Sequence, residues 1–489
     1  MTNNRSTRRI AMLLAAVLSV SAFASCGGSA APSGDTTASG GTDTDTTAAP
    51  ETELTDDVPD LDFKGAHLRT VQQTPGSYGF FAEEQTGEVV NDTIYARNSA
   101  VAERFNIVID ETIVENYQDV SSRVSASVLA GADDYDLVLS QIFRSGRDAL
   151  SGLFYDWNSI KYIDLSKPWY NQSLNDAAVG GKLYMLESDL SISYIMQTWM
   201  MLYNKTKAKE YQSFPDLYQT VRDGKWTIDL LNSLSAEIYT DVNGDSTRDM
   251  GDFYGFAGIS GGCLLAAYVY ACDATLTELT KDMKMEHTIS SEKTISVLEK
   301  ISLLFSTGEG TYATTGAGRA LRKTFFPTGN VMFMPAQVDD LCWPEMRSFK
   351  DEFGVLPMPK YDEKQKEYYT VVDGGADILT VPATAQNTDM IGAVVEALSA
   401  LSYKEVLPAY INMALEQKGT RDEESIEMLR SILDSRVIDF SYLYDCSKGW
   451  VMKLPSIIAN AESISSTIAS NQSAMETYWN ETITYLTEE

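Results

Sequence analysis

The chain has 489 residues with 38 bases, 69 acids and a net charge of −31, on a composition that is 22% charged and 44% hydrophobic. The length calls for two or three domains or lobes, and the acidity argues against a nucleic-acid binder, because carboxylates repel phosphate. Only two histidines are present. A His-based metal cluster or a His-containing catalytic triad would have to use His67 or His287, which leaves little room for either.

Residues 1–25 read as an export signal. Arg5, Arg8 and Arg9 precede the apolar run IAMLLAAVLSVSAFA over 10–24. A run of this length is short for a membrane span, which needs about 20 residues. Phe23-Ala24-Ser25-Cys26 follows and resembles a bacterial lipobox, with Phe where Leu is preferred. That resemblance implies cleavage before Cys26 and acylation of its thiol, palmitate being one such acyl group. A plain secretory signal with an incidental cysteine is the alternative. Residues 27–57 contain five Asp, two Glu, no base and no aromatic residue. Such a segment cannot bury enough apolar area to order itself. The domain at 26–57 is therefore expected to be a lipidated cysteine and an acidic tether with a reach of about 30 Å.

The body begins near residue 58 and keeps 35 bases and 62 acids once signal and tether are set aside. His67-Leu68-Arg69-Thr70-Val71 predicts a strand. Residues 91–105 predict a helix, with Ile94, Val101, Ala102 and Phe105 on one face. Ile107-Val108-Ile109 is a second strand. Val120, Val124 and Val128 line a helix that stops at Gly131. Asp136-Leu137-Val138-Leu139 is a third strand. Strands alternating with helices imply right-handed βαβ units and a parallel sheet. Ligands bind such sheets beyond the carboxyl ends of the strands. This marks two loops: Gln72 to Phe81 after the first strand, with Tyr78 and Phe80, and Ser140, Gln141 and Arg144 after the third.

Four cysteines remain in the body: Cys263, Cys272, Cys342 and Cys446. They allow three pairings, and burial as free thiols is equally open. No C-x-x-C, G-x-S-x-G, H-E-x-x-H or G-x-x-x-x-G-K-[ST] motif occurs, so any ATP hydrolysis belongs to a partner protein.

Several segments, in this order, resemble the type 1 extracellular solute-binding proteins, the substrate-binding lipoproteins of ABC importers. Gly180-Gly181-Lys182-Leu183-Tyr184 leads to Met200-Met201-Leu202-Tyr203-Asn204-Lys205, similar to the family's GKLY and YNK pair. Asp216-Leu217-Tyr218 and Gly224-Lys225-Trp226-Thr227 follow. Phe353-Gly354-Val355-Leu356-Pro357-Met358-Pro359-Lys360-Tyr361-Asp362 is similar to another family segment, and Gly374-Gly375 precedes the apolar strand Ile378-Leu379-Thr380-Val381-Pro382. The resemblance implies a bilobal, periplasmic-binding-protein-like α/β fold. Two α/β lobes would be joined by a hinge, with the ligand cleft between them. Lobe 1 would be 58–190 with a return segment near 377–437. Lobe 2 would be 191–376, completed by 438–489.

The resemblance also implies a function. The protein would be a non-enzymatic receptor that captures a small solute, most simply a carbohydrate or oligosaccharide. Lobe closure would hold the solute until it is delivered to ABC permease subunits. Localisation would be extracytoplasmic, with the lipid as the membrane anchor. Aromatic faces and planar polar groups suit a neutral, hydroxyl-rich ligand. Lobe 1 offers Tyr78, Phe80, Ser140, Gln141 and Arg144, with Trp169 and Tyr170 as an aromatic pair in a loop. The resemblance points to Gln337, Asp339 and Asp340 after the strand Val331-Met332-Phe333-Met334, and to Asp373 at a crossing. A peptide or another solute is the alternative ligand. A surface glycoside-acting enzyme or an adhesin is the alternative class, since paired carboxylates are common in so acidic a chain.

Asp241 to Asp252 has the spacing of an EF-hand loop. Asp241, Asn243, Asp245, Asp249 and Asp252 place oxygens at positions 1, 3, 5, 9 and 12, with the Thr247 carbonyl at 7. Ser246 stands where the loop usually has Gly, and Asp252 is shorter than the usual Glu. The expectation is a structural calcium ion that stiffens the second lobe, with no catalytic cofactor. An acidic turn without metal is the alternative.

Overall fold

The computed structural model describes residues 54–74, 79–171, 178–306, 308–315, 318–416, 423–438, 440–445 and 448–487. Among the described residues, twelve strands run in chain order. They are β1 Ala66–Gln73, β2 Ile107–Val114, β3 Leu137–Gln141, β4 Trp199–Asn204, β5 Tyr239–Thr240 and β6 Phe253–Ile259. They continue with β7 Glu278–Leu279, β8 Met285–Glu286, β9 Thr311–Thr314, β10 Val331–Gln337, β11 Phe353–Leu356 and β12 Asp377–Thr380.

The expected βαβαβ start is present. The helix Val89–Phe105 joins β1 to β2, and Tyr117–Leu129 joins β2 to β3. Glu88 caps the first helix by accepting from the Asn91 N–H, and the helix ends at Asn106 in the left-handed region at φ 50°. Asn often takes that conformation at a helix C-terminus. Val90, Ile94, Val101 and Phe105 form its buried face. Asn116 caps the second helix, which buries Val120 and Val124. β1 pairs in parallel with both β2 and β3. β12 returns much later in the chain and pairs antiparallel with β3, giving a sheet of order β12-β3-β1-β2.

The second sheet has the order β11-β4-β10-β6-β5, with β9 on the other side of β6. Its central strands β4, β6 and β10 are buried along their whole length. Continuous apolar runs such as Trp199-Met200-Met201-Leu202 suit a sheet covered on both faces. These two sheets are the cores of two α/β lobes within one compact unit, Thr55–Glu489.

Three segments run between the lobes. Ser191 to Thr198 leads from lobe 1 into β4, and Thr370 to Ala376 leads back into β12. The two lie side by side, with the Asp373 N–H donating to the Gln197 carbonyl and the Trp199 N–H to that of Val371. The third is the helical stretch that follows β12, and Ser435 to Val437 lies beside the second crossing, pairing its backbone with Thr370. The helix Thr388–Leu401 packs on Val89–Phe105. A π-helical turn at Ser402–Val406 follows, and Leu407–Glu416 then reaches the short turn Val338–Cys342 in lobe 2. The turn is matched to a buried cation: Ser402 Oγ accepts from Arg97 at 2.8 Å. Arg97 is 1% exposed and also donates to the Asn98 side chain and the Phe80 and Leu190 carbonyls. Burial pushes its pKa down to about 9.

Among the described residues, no helix is long and apolar enough to cross a membrane. Cys263, Cys272 and Cys342 are free thiols, and Cys446 lies outside the described residues.

Candidate ligand site at the lobe junction

β3 and β10 end at the same place, where the second crossing enters β12. Gln141, the last residue of β3, is opposite Asp377, and Gln337, the last residue of β10, is opposite Trp199. The carboxyl ends of strands from both lobes therefore meet the hinge here, which is where α/β sheets place ligands.

A cluster of amides and carboxylates fills this junction. Gly375 has no side chain, and a Cβ there would stand 3.0 Å from Asp373 Oδ1, 3.3 Å from Gln197 Oε1 and 3.8 Å from Gln141 Nε2. Asp373 accepts from the Gly375 N–H at 2.9 Å, and Gln197 donates to the Gly375 carbonyl at 3.2 Å. Gln73, at the end of β1, donates to Asp377 at 3.4 Å. Burial pushes the Asp377 carboxyl up to about 6, against its hydrogen bonds from Ser193 and Gln73. Burial also raises Asp373, while the Gly375 N–H, Arg322, Cys263 and Trp199 pull it back.

Lobe 2 adds a set of paired charges. The turn Val338–Cys342 opens with a capping box, in which Gln337 and Asp340 each accept from the other's backbone N–H. That fixes both side chains. Arg322, from the helix Gly318–Phe325, donates to Asp340 Oδ2 at 2.6 Å and to Gln337 Oε1 at 2.7 Å. Its guanidinium lies 5.1 Å from the Trp199 ring and 5.7 Å from the Trp343 ring. Asp339 pairs with Arg319 and accepts from the Trp343 indole at 3.0 Å. Lys323 is the third cation over Trp343, at 5.0 Å. Burial raises the Asp340 carboxyl, and the Arg322 charge opposes that shift. Each arginine at this wall thus has its own carboxylate, and Lys323 is the cation left over.

Of the residues expected from sequence, Gln141, Gln337, Asp339, Asp340 and Asp373 come together at this junction. Others lie elsewhere. Phe80 is 1% exposed, under the Arg97 guanidinium at 5.5 Å. Trp169 and Tyr170 are 1% and 2% exposed and pack inside lobe 1, with the Tyr170 hydroxyl donating to Glu396 at 2.6 Å. These three aromatic side chains belong to the core and offer no ring face to a ligand, because burying so much apolar area outweighs leaving it in a loop. Ser140 is buried and its hydroxyl has no hydrogen-bond partner. Arg144 turns away from the junction toward Ser121. Tyr78 lies outside the described residues. Trp199, Arg319 and Arg322 were missed. The helical spacing of Arg319, Arg322 and Lys323, which puts three cations on one face, is the signal that marks them.

The 241–252 loop closes on itself. Asp241 accepts from the Gly244 and Ser246 N–H groups at 2.7 and 3.0 Å, and Asp245 accepts from Thr247 at 2.7 Å. Asn243 accepts from the Asp245 N–H, and Asp249 from that of Gly251. Asp252 is fully buried and accepts from the Tyr239 hydroxyl at 2.9 Å and the Val242 N–H. Ser246 takes the left-handed conformation, φ 60°, that this loop position requires. Among the described residues, no three His, Cys, Asp or Glu side chains are grouped to hold a metal.

No protein-family model matches the chain, and no curated protein matches it. Solved structures do. The GacH receptor of Streptomyces glaucescens, solved unliganded and with acarbose, is 14% identical with a TM-score of 0.54. The match covers 86% of this chain and 97% of the receptor. The ABC substrate-binding protein Lmo0181 from Listeria monocytogenes, in complex with cycloalternan, is 12% identical with a TM-score of 0.53, over 85% of this chain and 99% of its own. UgpB from Mycobacterium tuberculosis, in complex with glycerophosphocholine, is 15% identical with a TM-score of 0.52, over 86% and 100%. Two α/β lobes joined by crossing segments around a junction cleft are thus the fold this chain shares with ligand-capturing receptors of ABC importers.

Proposed function

We propose that this protein is an extracytoplasmic solute receptor of the type 1 family. It captures a neutral, hydroxyl-rich solute, a carbohydrate or oligosaccharide, at the lobe junction and delivers it to the permease of an ABC importer. The observation that carries this reading is the junction itself. Gln141 from lobe 1, Gln197 and Asp373 from the crossings, and Gln337 with Arg322 from lobe 2 converge there. Planar amides and carboxylates both donate to and accept from hydroxyls. The two arginines are already matched by carboxylates, which favours a neutral solute over a charged one at that point. Groups from both lobes bind the solute together, which favours the closed form. Binding without turnover follows from the same reading.

Export and acylation at Cys26 would tether the receptor to the membrane. Replacing Cys26 by Ala is expected to release it into the medium. The 241–252 loop is taken as a calcium loop of structural role. The deciding experiment is a thermal-shift and calorimetric screen of the body against oligosaccharides and peptides. Saturable binding of oligosaccharides that is lost in Asp373→Asn supports the reading. Binding of peptides only, or turnover of a glycoside, overturns it.

A further inference from the structure

An open cavity of mixed lining, with Ala126, Leu129 and Leu153 beside its polar residues, lies away from the lobe junction on the flank of lobe 1. It has a volume of about 400 Å³ and opens between the helices Tyr117–Leu129 and Ile142–Ala149. Its wall is built of Ser121, Ser125, Ser151, Arg144, Arg147 and Asp148. Two of these form a fixed base. Asp148 is 5% exposed and holds Arg144 Nε at 3.5 Å, as an ion pair four residues apart on one helix face. Arg144 Nη2 donates to Ser121 Oγ at 2.6 Å, tying the two helices together. Burial raises the Asp148 carboxyl, and Ser121 and both arginines oppose that rise.

The base leaves donors unspent. Arg144 Nε is buried against Asp148, and of its two terminal nitrogens only Nη2 has a hydrogen bond among the described residues, to Ser121. Arg147 is exposed on the rim and has no carboxylate within ion-pair distance among the described residues. Two arginines against one carboxylate leave a net positive charge in this cavity, although the whole chain carries −31. The Ser121 and Ser151 hydroxyls are already bonded, to Arg144 and to the Arg147 carbonyl, which leaves that of Ser125 to donate to an oxyanion.

We infer that this flank cavity is a second binding site, for a phosphate group. Guanidinium and hydroxyl donors facing an acceptor-only tetrahedral anion is the arrangement such a group selects. The cavity has room for a sugar attached to the phosphate as well as for free phosphate. This site is independent of the junction site, because Arg144 and Arg147 point away from Gln141 and Asp373.

The test titrates the intact body with inorganic phosphate and, separately, with glucose 6-phosphate, at constant ionic strength. Wild-type protein is expected to bind at least one of them saturably. Arg147→Gln is expected to weaken that binding about tenfold or more, as loss of a charge-assisted contact does. Arg147 is exposed, so the variant should fold, and an unchanged melting midpoint confirms that it does. Tighter binding of the ester assigns the site to a phosphorylated solute, and equal binding assigns it to free phosphate. No saturable binding of either probe, or equal binding by wild type and Arg147→Gln, overturns the proposal. Asp373→Asn should leave phosphate binding unchanged, so failure of the junction reading is read separately.

Discussion

Arg322 is the residue on which the lobe 2 wall depends. It is 7% exposed and is held by Asp340 and Gln337 between two indoles. Removing one partner of a buried ion pair costs about 3–5 kcal/mol, because the other charge is left buried and unpaired. Arg322→Ala is therefore expected to lower stability by about that amount. Arg322→Met with Asp340→Leu should recover most of the loss in chemical denaturation while leaving solute binding impaired. Recovery of binding by the double variant would show that the pair only holds the fold. Part of this cluster was legible in the sequence, because Gln337, Asp340 and Asp373 follow strand-like or glycine-marked segments. Arg322 was hidden in a helix whose basic face looks like any solvated face.

The hinge acids set a second residue-scale expectation, in pH. Glu187 is 2% exposed, and Asp189 lies close by. Burial pushes Glu187 up to about 8 from 4.5, and Asp189 up to about 7 from 3.8, against the Arg436 charge. A carboxyl raised in the folded state binds a proton that the unfolded chain has already lost. Stability contributed by these groups is thus full below about pH 4 and falls as pH rises to about 8. Glu187→Gln is expected to flatten that fall and to raise the melting midpoint at pH 8 more than at pH 4.5. An equal effect at both values would mean the carboxyl titrates as an ordinary glutamate.

At the scale of elements, chain periodicity carried the first lobe well. The three predicted strands and two predicted helices appear as β1, β2, β3, Val89–Phe105 and Tyr117–Leu129. Both helices have a buried face and a side-chain N-cap, from Glu88 and Asn116. Trp169 and Tyr170 were not legible in this way. They follow Pro168 and look like a loop, yet Tyr170 pairs with Ser188 and Trp169 accepts the Asp189 N–H through its carbonyl. The partner segment is distant in sequence, so no local pattern announces the burial.

The 241–252 loop was legible as an oxygen-rich turn, but not as to what those oxygens bond. Its carboxylates satisfy backbone N–H groups, and Ser246 carries a left-handed backbone. Calcium would recruit the oxygens that remain free. About 1 mM calcium, a concentration suited to extracellular sites, is expected to raise the melting midpoint, and Asp241→Ala to remove the rise. A midpoint indifferent to calcium and chelator would leave the loop as a turn closed by its own hydrogen bonds.

At the scale of the whole molecule, the lobes are joined by crossing segments, and Gly374 packs against lobe 1 where one of them enters it. It lies on the second crossing, and a Cβ there would come within 2.6 Å of the Phe143 ring. Phe143 starts the helix after β3 in lobe 1, and its ring packs on Tyr442 at 5.2 Å. It has little room to retreat. The C-terminal helix Ile464–Thr487 adds a second link. It packs on lobe 2, while a Cβ at Gly180 of lobe 1 would lie 3.2 Å from the Leu486 carbonyl. Overpacking of this kind costs about 1–3 kcal/mol. In Gly374→Ala that cost falls where the second crossing enters lobe 1, and so on the crossing about which the lobes turn. The variant is expected to bind solute more weakly and to show a smaller ligand-induced decrease in radius of gyration by small-angle scattering. Unchanged affinity and an unchanged decrease would mean that the lobes close about some point other than Gly374.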